Sequence, residues 1–184
     1  MKFITTLAAA AVGIGLVGTA SAQQGAAAPA ATATATAKAP EYVAIPMEIT
    51  VNKPAAEVWA KVGGYCDLGK WLRAGAEIPC VVTSGNGGVG SVRKIANSVT
   101  EVLTAKTDLS YGYTQPAVEG KWYNLYHGFL EAKPVDVKSS KLVYTLMLDV
   151  SDKPDQAAKD ADVSTRRKMF EGALANMKKM AEGG

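Results

Sequence analysis

The chain has 184 residues, 48% hydrophobic and 20% charged, with 20 basic and 17 acidic side chains, two cysteines and a single histidine. Lys2 and Lys38 are the charges upstream of residue 41, so the remainder carries 18 basic against 17 acidic groups, a balance that gives no pull toward nucleic acid or an acidic membrane surface. One histidine and no C-x-x-C pair exclude a zinc-type cluster and a dithiol redox centre, and no cofactor is implied.

Residues 1–22 read as a signal peptide: Lys2, an apolar run from Leu7 to Val17, then Ala20-Ser21-Ala22 before the expected cut. No later segment is apolar enough to span a membrane, so none is expected after cleavage, and the mature protein is expected in the periplasm or secreted. Residues 23–40 are rich in Ala, Pro and Thr and have no large apolar side chain, which predicts a disordered tether. Residues 41–184 are then one domain of ordinary size.

Alternation predicts a strand over 42–51, after which Asn52-Lys53-Pro54 starts a short helix over 55–62 with Val58, Trp59 and Val62 on one face. Gly63-Gly64 ends it, and a second short helix is expected over 65–71. Cys66 and Cys80 stand 14 residues apart in a chain that reads as exported, so either a structural disulfide, worth roughly 3 kcal/mol for a loop of this size, or two buried thiols is expected. Strands follow at hairpin spacing over 76–83, 89–95, 99–106, 109–114, 122–132 and 142–150. Between the first two lies SGNGGVG, with the G-x-G-x-x-G spacing of dinucleotide sites. Such a fingerprint needs a helix directly after the glycines. Here Val89, Val92 and Ile95 continue as a strand, so the glycines are read as a turn requiring positive φ. Residues 154–182 break the strand pattern: Phe170, Ala173, Leu174, Met177 and Ala181 make one helical stripe, with Asp155, Asp160 and Asp162 near its start, Lys178 and Lys179 near its end, and Gly183 as the stop. The first turns around Gln156 could form a separate piece.

The order strand, two short helices, six strands, long helix resembles the SRPBCC superfamily, which includes START lipid-transfer domains, the birch-pollen-allergen group and polyketide cyclase/dehydrase-like proteins. The resemblance is carried by PAAEVWAKVGGYCDLGKW, GVGSVRKI, VTEVLTAKTDLSYGYT, YNLYHGFLEAKP and the helix near TRRKMFEGAL, and it spans roughly 41–182. It implies an α+β helix-grip fold: a curved seven-stranded antiparallel sheet wrapped around the C-terminal helix, with a cavity between them.

Strand parity suggests the lining. Val99, Leu103 and Ala105 are apolar, which puts Glu101 on the inner face; a carboxylate there is costly unless paired or wet, so it is either a functional acid facing the cavity or one half of a salt bridge to Arg93 or Lys94 on the neighbouring strand. Tyr111 and Tyr113 share a face and point inward, needing partners for their hydroxyls. On 122–132, Trp122, Asn124, Tyr126, Gly128 and Leu130 form one set and Tyr123, Leu125, His127, Phe129 and Glu131 the other. The resemblance implies that Asn124, Tyr126 and Gly128 face the cavity and His127 lies outside. Phe170, Leu174 and Met177 are expected to form the helix wall, Trp71 to line the mouth, Trp59 to belong to the core, and Asp149 to cap the last strand.

Three readings of function follow. The first is an exported binding protein for a small hydrophobic or amphipathic ligand, such as a lipid, an aromatic or a polyketide-like compound. The second is a cyclase/dehydrase-like enzyme with Glu101 or His127 as acid/base. In the third, the wedge is filled and the domain binds a partner in the envelope. Oligomeric state leaves no mark on the sequence.

Overall fold

A computed structural model describes residues 39–183 apart from 74, 121 and 122. The expected signal peptide, nearly all of the tether, and Trp122 fall outside the described residues. The elements are β1 (Tyr42–Val51), α1 (Ala55–Val62), α2 (Leu68–Trp71), β2 (Cys80–Ser84), β3 (Val92–Ile95), β4 (Val99–Lys106), β5 (Ser110–Gln115), β6 (Tyr126–Pro134), β7 (Ser140–Asp149) and α3 (Gln156–Glu182). The strands form one sheet in the order β1-β7-β6-β5-β4-β3-β2, every neighbouring pair antiparallel. The chain returns at its end: β7 pairs with β1 over ten residues, from Tyr42 opposite Asp149 to Val51 opposite Ser140. No helix among the described residues is long and apolar enough to cross a membrane.

α1 buries Ala55, Val58 and Val62, one helical stripe, and Gly63 ends it with its N–H on the Trp59 carbonyl. Gly63 has a second reason to lack a side chain, because a Cβ there would stand 2.3 Å from the Trp59 ring. α3 is one continuous helix of 27 residues, about 40 Å long, rather than two pieces. The Asp155 carboxylate accepts the Ala158 N–H at 2.8 Å to cap its start, and Gly183 closes it in the left-handed conformation at φ 90°. Its buried residues, Phe170, Ala173, Leu174, Met177 and Ala181, all lie in the C-terminal half. The N-terminal half from Gln156 to Met169 has no fully buried residue, but it is tied to the start of the sheet: Arg167 Nη1 donates to the Pro46 carbonyl at 3.0 Å, Lys159 pairs with Glu41 at 2.6 Å, and Val163 packs against the core.

Several strands are shorter than alternation predicts. Residues 76–79 run outside the sheet because the Ile78 N–H bonds the Gly69 carbonyl, an approach that a Cβ on Gly69, 2.3 Å from Ile78 O, would block. Val89 is not in a strand: it stands 65% exposed in a turn where Gly85, Gly87 and Gly90 all hold positive φ, which bears out the turn reading of SGNGGVG. In β4 the register against β5 shifts between Leu103 and Ala105, a bulge that turns Ala105 out to solvent, against the parity expectation. Cys66 and Cys80 are joined by a disulfide with Cα atoms 5.4 Å apart, fastening the α1–α2 connection to the start of β2.

Candidate ligand-binding site

The inner face is set by strand alternation: Arg93 and Ile95 on β3, Glu101 and Leu103 on β4, Tyr111 and Tyr113 on β5, Tyr126, Gly128 and Leu130 on β6, Tyr144, Leu146 and Leu148 on β7, all buried. Two of these are charged. Arg93 and Glu101 are register partners, and the Arg93 Nε and Nη2 both donate to Glu101 Oε2, at 2.9 and 2.6 Å. Arg93 Nη1 donates to the Tyr65 carbonyl, and Gln115 Nε2 donates to the other carboxylate oxygen at 3.2 Å. The guanidinium is 0% exposed and packs over the rings of Tyr65, Tyr113 and Tyr111, at 4.2, 4.9 and 5.7 Å from their centroids. Burial opposes its charge, but the oxygens of Tyr111 and Glu101 outweigh that, and its pKa is raised. Of the two fates open to Glu101, the salt bridge to Arg93 is the one realised.

The phenols are neutral groups. Burial pushes the pKa of Tyr65 up to about 12 and those of Tyr113 and Tyr144 well above the usual value, so they donate and accept hydrogen bonds rather than act as bases. Tyr113 and Tyr144 hydroxyls bond each other at 2.7 Å. Gly128 faces Tyr113 across the β5–β6 ladder, and a Cβ there would lie 2.3 Å from the Tyr113 Cζ. The glycine makes room for the ring.

This buried pair and its rings fill the middle of the wedge and leave a hollow at each end of β4. One, of about 170 Å³, lies beside the middle of α3, at Arg166, Met169 and Phe170. Its apolar wall is Leu68, Leu72, Ile95, Val99, Met169 and Phe170; its polar groups are Glu101, Gln115, Tyr113, Tyr126, Tyr144 and Arg166. Arg166 packs over the Tyr126 ring at 5.5 Å. The other hollow, of about 200 Å³, is bounded by Trp59, Gly63, Gly64, Tyr65, Gly87, Leu103, Lys106 and Tyr111.

Of the residues expected in the cavity, Glu101, Tyr113, Tyr126 and Phe170 line the α3 hollow, Tyr111 lines the other, and Gly128 stands behind Tyr113. Leu174 and Met177, 1% and 0% exposed, do not line the α3 hollow; they belong to the packed core under the gripping half of α3. Asn124 precedes β6 and does not line it either; its carbonyl accepts the Tyr42 hydroxyl. The tryptophans exchange places relative to expectation. Trp71 is fully buried, its indole N–H on the Val62 carbonyl, whereas Trp59 is half-buried and walls the second hollow. His127 is on the outer face, 5.8 Å from the Tyr42 ring, and partial burial lowers its pKa. It does not reach either hollow. Asp149 caps β7, accepting the N–H groups of Glu41 and Ser151 and the hydroxyls of Ser151 and Tyr123.

Sequence reasoning missed Tyr144, Gln115 and Arg166, and gave Arg93 no role beyond a possible bridge. Tyr144 was findable, since it alternates with Leu142, Leu146 and Leu148. Arg93 has the parity of Ile95, an inner position.

The profile of the family described as polyketide cyclase / dehydrase and lipid transport matches residues 42–182. The chain belongs to that family. The helix-grip architecture expected from the SRPBCC resemblance is therefore the one found. Solved structures agree in fold: a Thermobifida fusca protein (20% identity, TM-score 0.60, 75% of this chain and 92% of that one) and the Zhui aromatase/cyclase from a Streptomyces species (14%, 0.59, 77% and 94%). A third is norcoclaurine synthase from Thalictrum flavum, solved in complex with dopamine and hydroxybenzaldehyde (16%, 0.53, 79% and 90%). No curated protein matches the chain.

Proposed function

We propose that the protein is an exported carrier or sensor that binds a small amphipathic molecule of about one ring in the hollow beside the middle of α3. The observation behind this reading is a space of about 170 Å³ whose lining combines apolar side chains with hydroxyl, amide, carboxylate and guanidinium groups. A dry cavity of roughly 150 Å³ accepts benzene, whereas drug-sized ligands occupy about 300 Å³ or more. Of the lipid, aromatic and polyketide-like ligands that the fold suggests, the single aromatic ring or short acyl chain fits. Burying about 150 Å² of ligand surface gives roughly 4 kcal/mol, and one hydrogen bond about 1 more, for a Kd on the order of 100 µM. The disulfide supports an oxidising compartment, and the signal-like start supports export to the periplasm or beyond.

An acid/base role for Glu101 is disfavoured because one carboxylate oxygen is held by Arg93 and the other by Gln115. Native mass spectrometry of protein isolated from its own envelope, with thermal shifts across single-ring aromatics and short fatty acids, tests the reading. A bound small molecule or a saturable rise in Tm supports it; ligand-free protein with no rise across the panel refutes it.

A further inference from the structure

Strands β4 and β5 diverge at one end. Their ladder begins at Val102 opposite Thr114 and runs toward Lys106 and Tyr111, while Val99, Thr100 and Glu101 pair with β3 alone. Carried on, the same register would set Thr100 opposite Pro116. Proline has no N–H to donate and is kept out of ladder interiors, which gives the divergence a local cause. β5 itself stays on β6 as far as Gln115, opposite Tyr126.

The divergence leaves a slot of about 430 Å³ between residues 98–100 and 115–118. Val99 and Gln115 line this slot and also the hollow beside α3, so the two spaces adjoin across that pair. At the fork the Gln115 amide is held by its bond to the Glu101 carboxylate at 3.2 Å.

Hollow and slot differ in chemistry. The hollow gathers the carboxylate of Glu101, the guanidinium of Arg166 and three phenols. None of the described residues lining the slot is charged: Val99, Pro116, Ala117 and Val118 give it an apolar side, and Ser98 and Thr100 two hydroxyls. Val118 is 54% exposed, an apolar side chain standing at the slot rather than packed in the core. The hollow alone is smaller than the roughly 300–1,000 Å³ typical of small-molecule sites, whereas hollow and slot together fall inside that range.

We propose that the slot between β4 and β5 is a second subsite, taking an uncharged alkyl or acyl chain carried by the ring that sits in the hollow. This inference rests on the reading of the hollow given above and extends the ligand class from a single ring to a ring bearing a chain of several carbons. An open slot removes from water about half of each methylene it takes up, so affinity should rise roughly twofold per carbon.

The 4-alkylphenols from 4-methylphenol to 4-pentylphenol are the probes, titrated by calorimetry and followed by methyl chemical shifts. Binding is expected to tighten about 15-fold over the series, with shifts at Ala117 and Val118 that grow with the chain. Val118→Asp, at an exposed position that tolerates a charge, should flatten the series. Val137→Asp puts the same charge in the β6–β7 turn, at a position 84% exposed and at the far end of β6 from Gln115, and should keep the slope. If 4-methylphenol binds and longer chains gain nothing, the slot is overturned and the hollow stands. A slope that survives in Val118→Asp, or is lost in Val137→Asp, overturns the slot in the same way. If no member of the series binds, both fall.

Discussion

Replacing Glu101 with Leu tests the buried pair at the centre of the wedge. Arg93 is 0% exposed and the Glu101 side chain 5%, so the leucine leaves a guanidinium in the interior with one carbonyl and three ring faces. Removing one member of a buried pair costs about 3–5 kcal/mol, because the other keeps its desolvation penalty without its counter-charge. The pair as a whole is worth far less, since apolar residues of similar size can replace it at little or no cost. Arg93→Met combined with Glu101→Leu should therefore recover most of the stability lost by Glu101→Leu alone. For a domain of this size the single variant should melt roughly 10–15 °C lower. Urea unfolding followed by circular dichroism, with calorimetry for Tm, reads all four members of the cycle. A loss under about 1 kcal/mol for Glu101→Leu would refute the reasoning, as would a double variant no more stable than the single one.

Other consequences follow from single contacts. Gly128→Ala puts a methyl 2.3 Å from the Tyr113 ring, which must move and release its bond to Tyr144; a loss of about 1–3 kcal/mol and loss of ligand-induced Tm shifts are expected by calorimetry. Cys66→Ser with Cys80→Ser opens a link of 14 residues and should cost about 3 kcal/mol in denaturant unfolding. Burial would raise the Asp149 pKa, but hydrogen bonds from Glu41, Ser151 and Tyr123 outweigh it and hold it at about 2, below the ordinary 3.8. A depressed carboxyl stabilises the fold above its unfolded pKa, so this contribution is present at neutral pH and lost as pH falls from about 4 to about 2. Stability measured against pH should show that loss in the parent and a smaller one in Asp149→Asn. His127→Gln, on the outer face, should leave ligand binding unchanged by calorimetric titration.

Period-two alternation is a direct image of a two-faced sheet, which is why the inward positions of Tyr111, Tyr113 and Glu101 were legible; on β6 both faces carry apolar residues, so Tyr126 and Gly128 were placed inward through the family resemblance and not by parity. It fails where the backbone adds a residue: nothing in VTEVLTAK marks the bulge that turns Ala105 outward. Helical periodicity found the stripe of α3 but not how far it touches the sheet. Leu174 and Met177 look like cavity wall on a helical wheel, yet the helix is in tight contact there and the hollow lies one to two turns earlier, at Arg166, Met169 and Phe170. Trp71 lies in a helix of four residues, too short for any period, so its burial depended on neighbours that sequence order does not reveal.

On the proposed reading, the space beside Arg166, Met169 and Phe170 of α3 takes a single ring. Titration of 4-methylphenol into protein with labelled side-chain methyls tests it directly. Saturable shifts at Leu68, Leu72, Ile95 and Met169, lost in Met169→Trp, are predicted. Unmoved methyls at millimolar phenol, or shifts that persist in that variant, would contradict it.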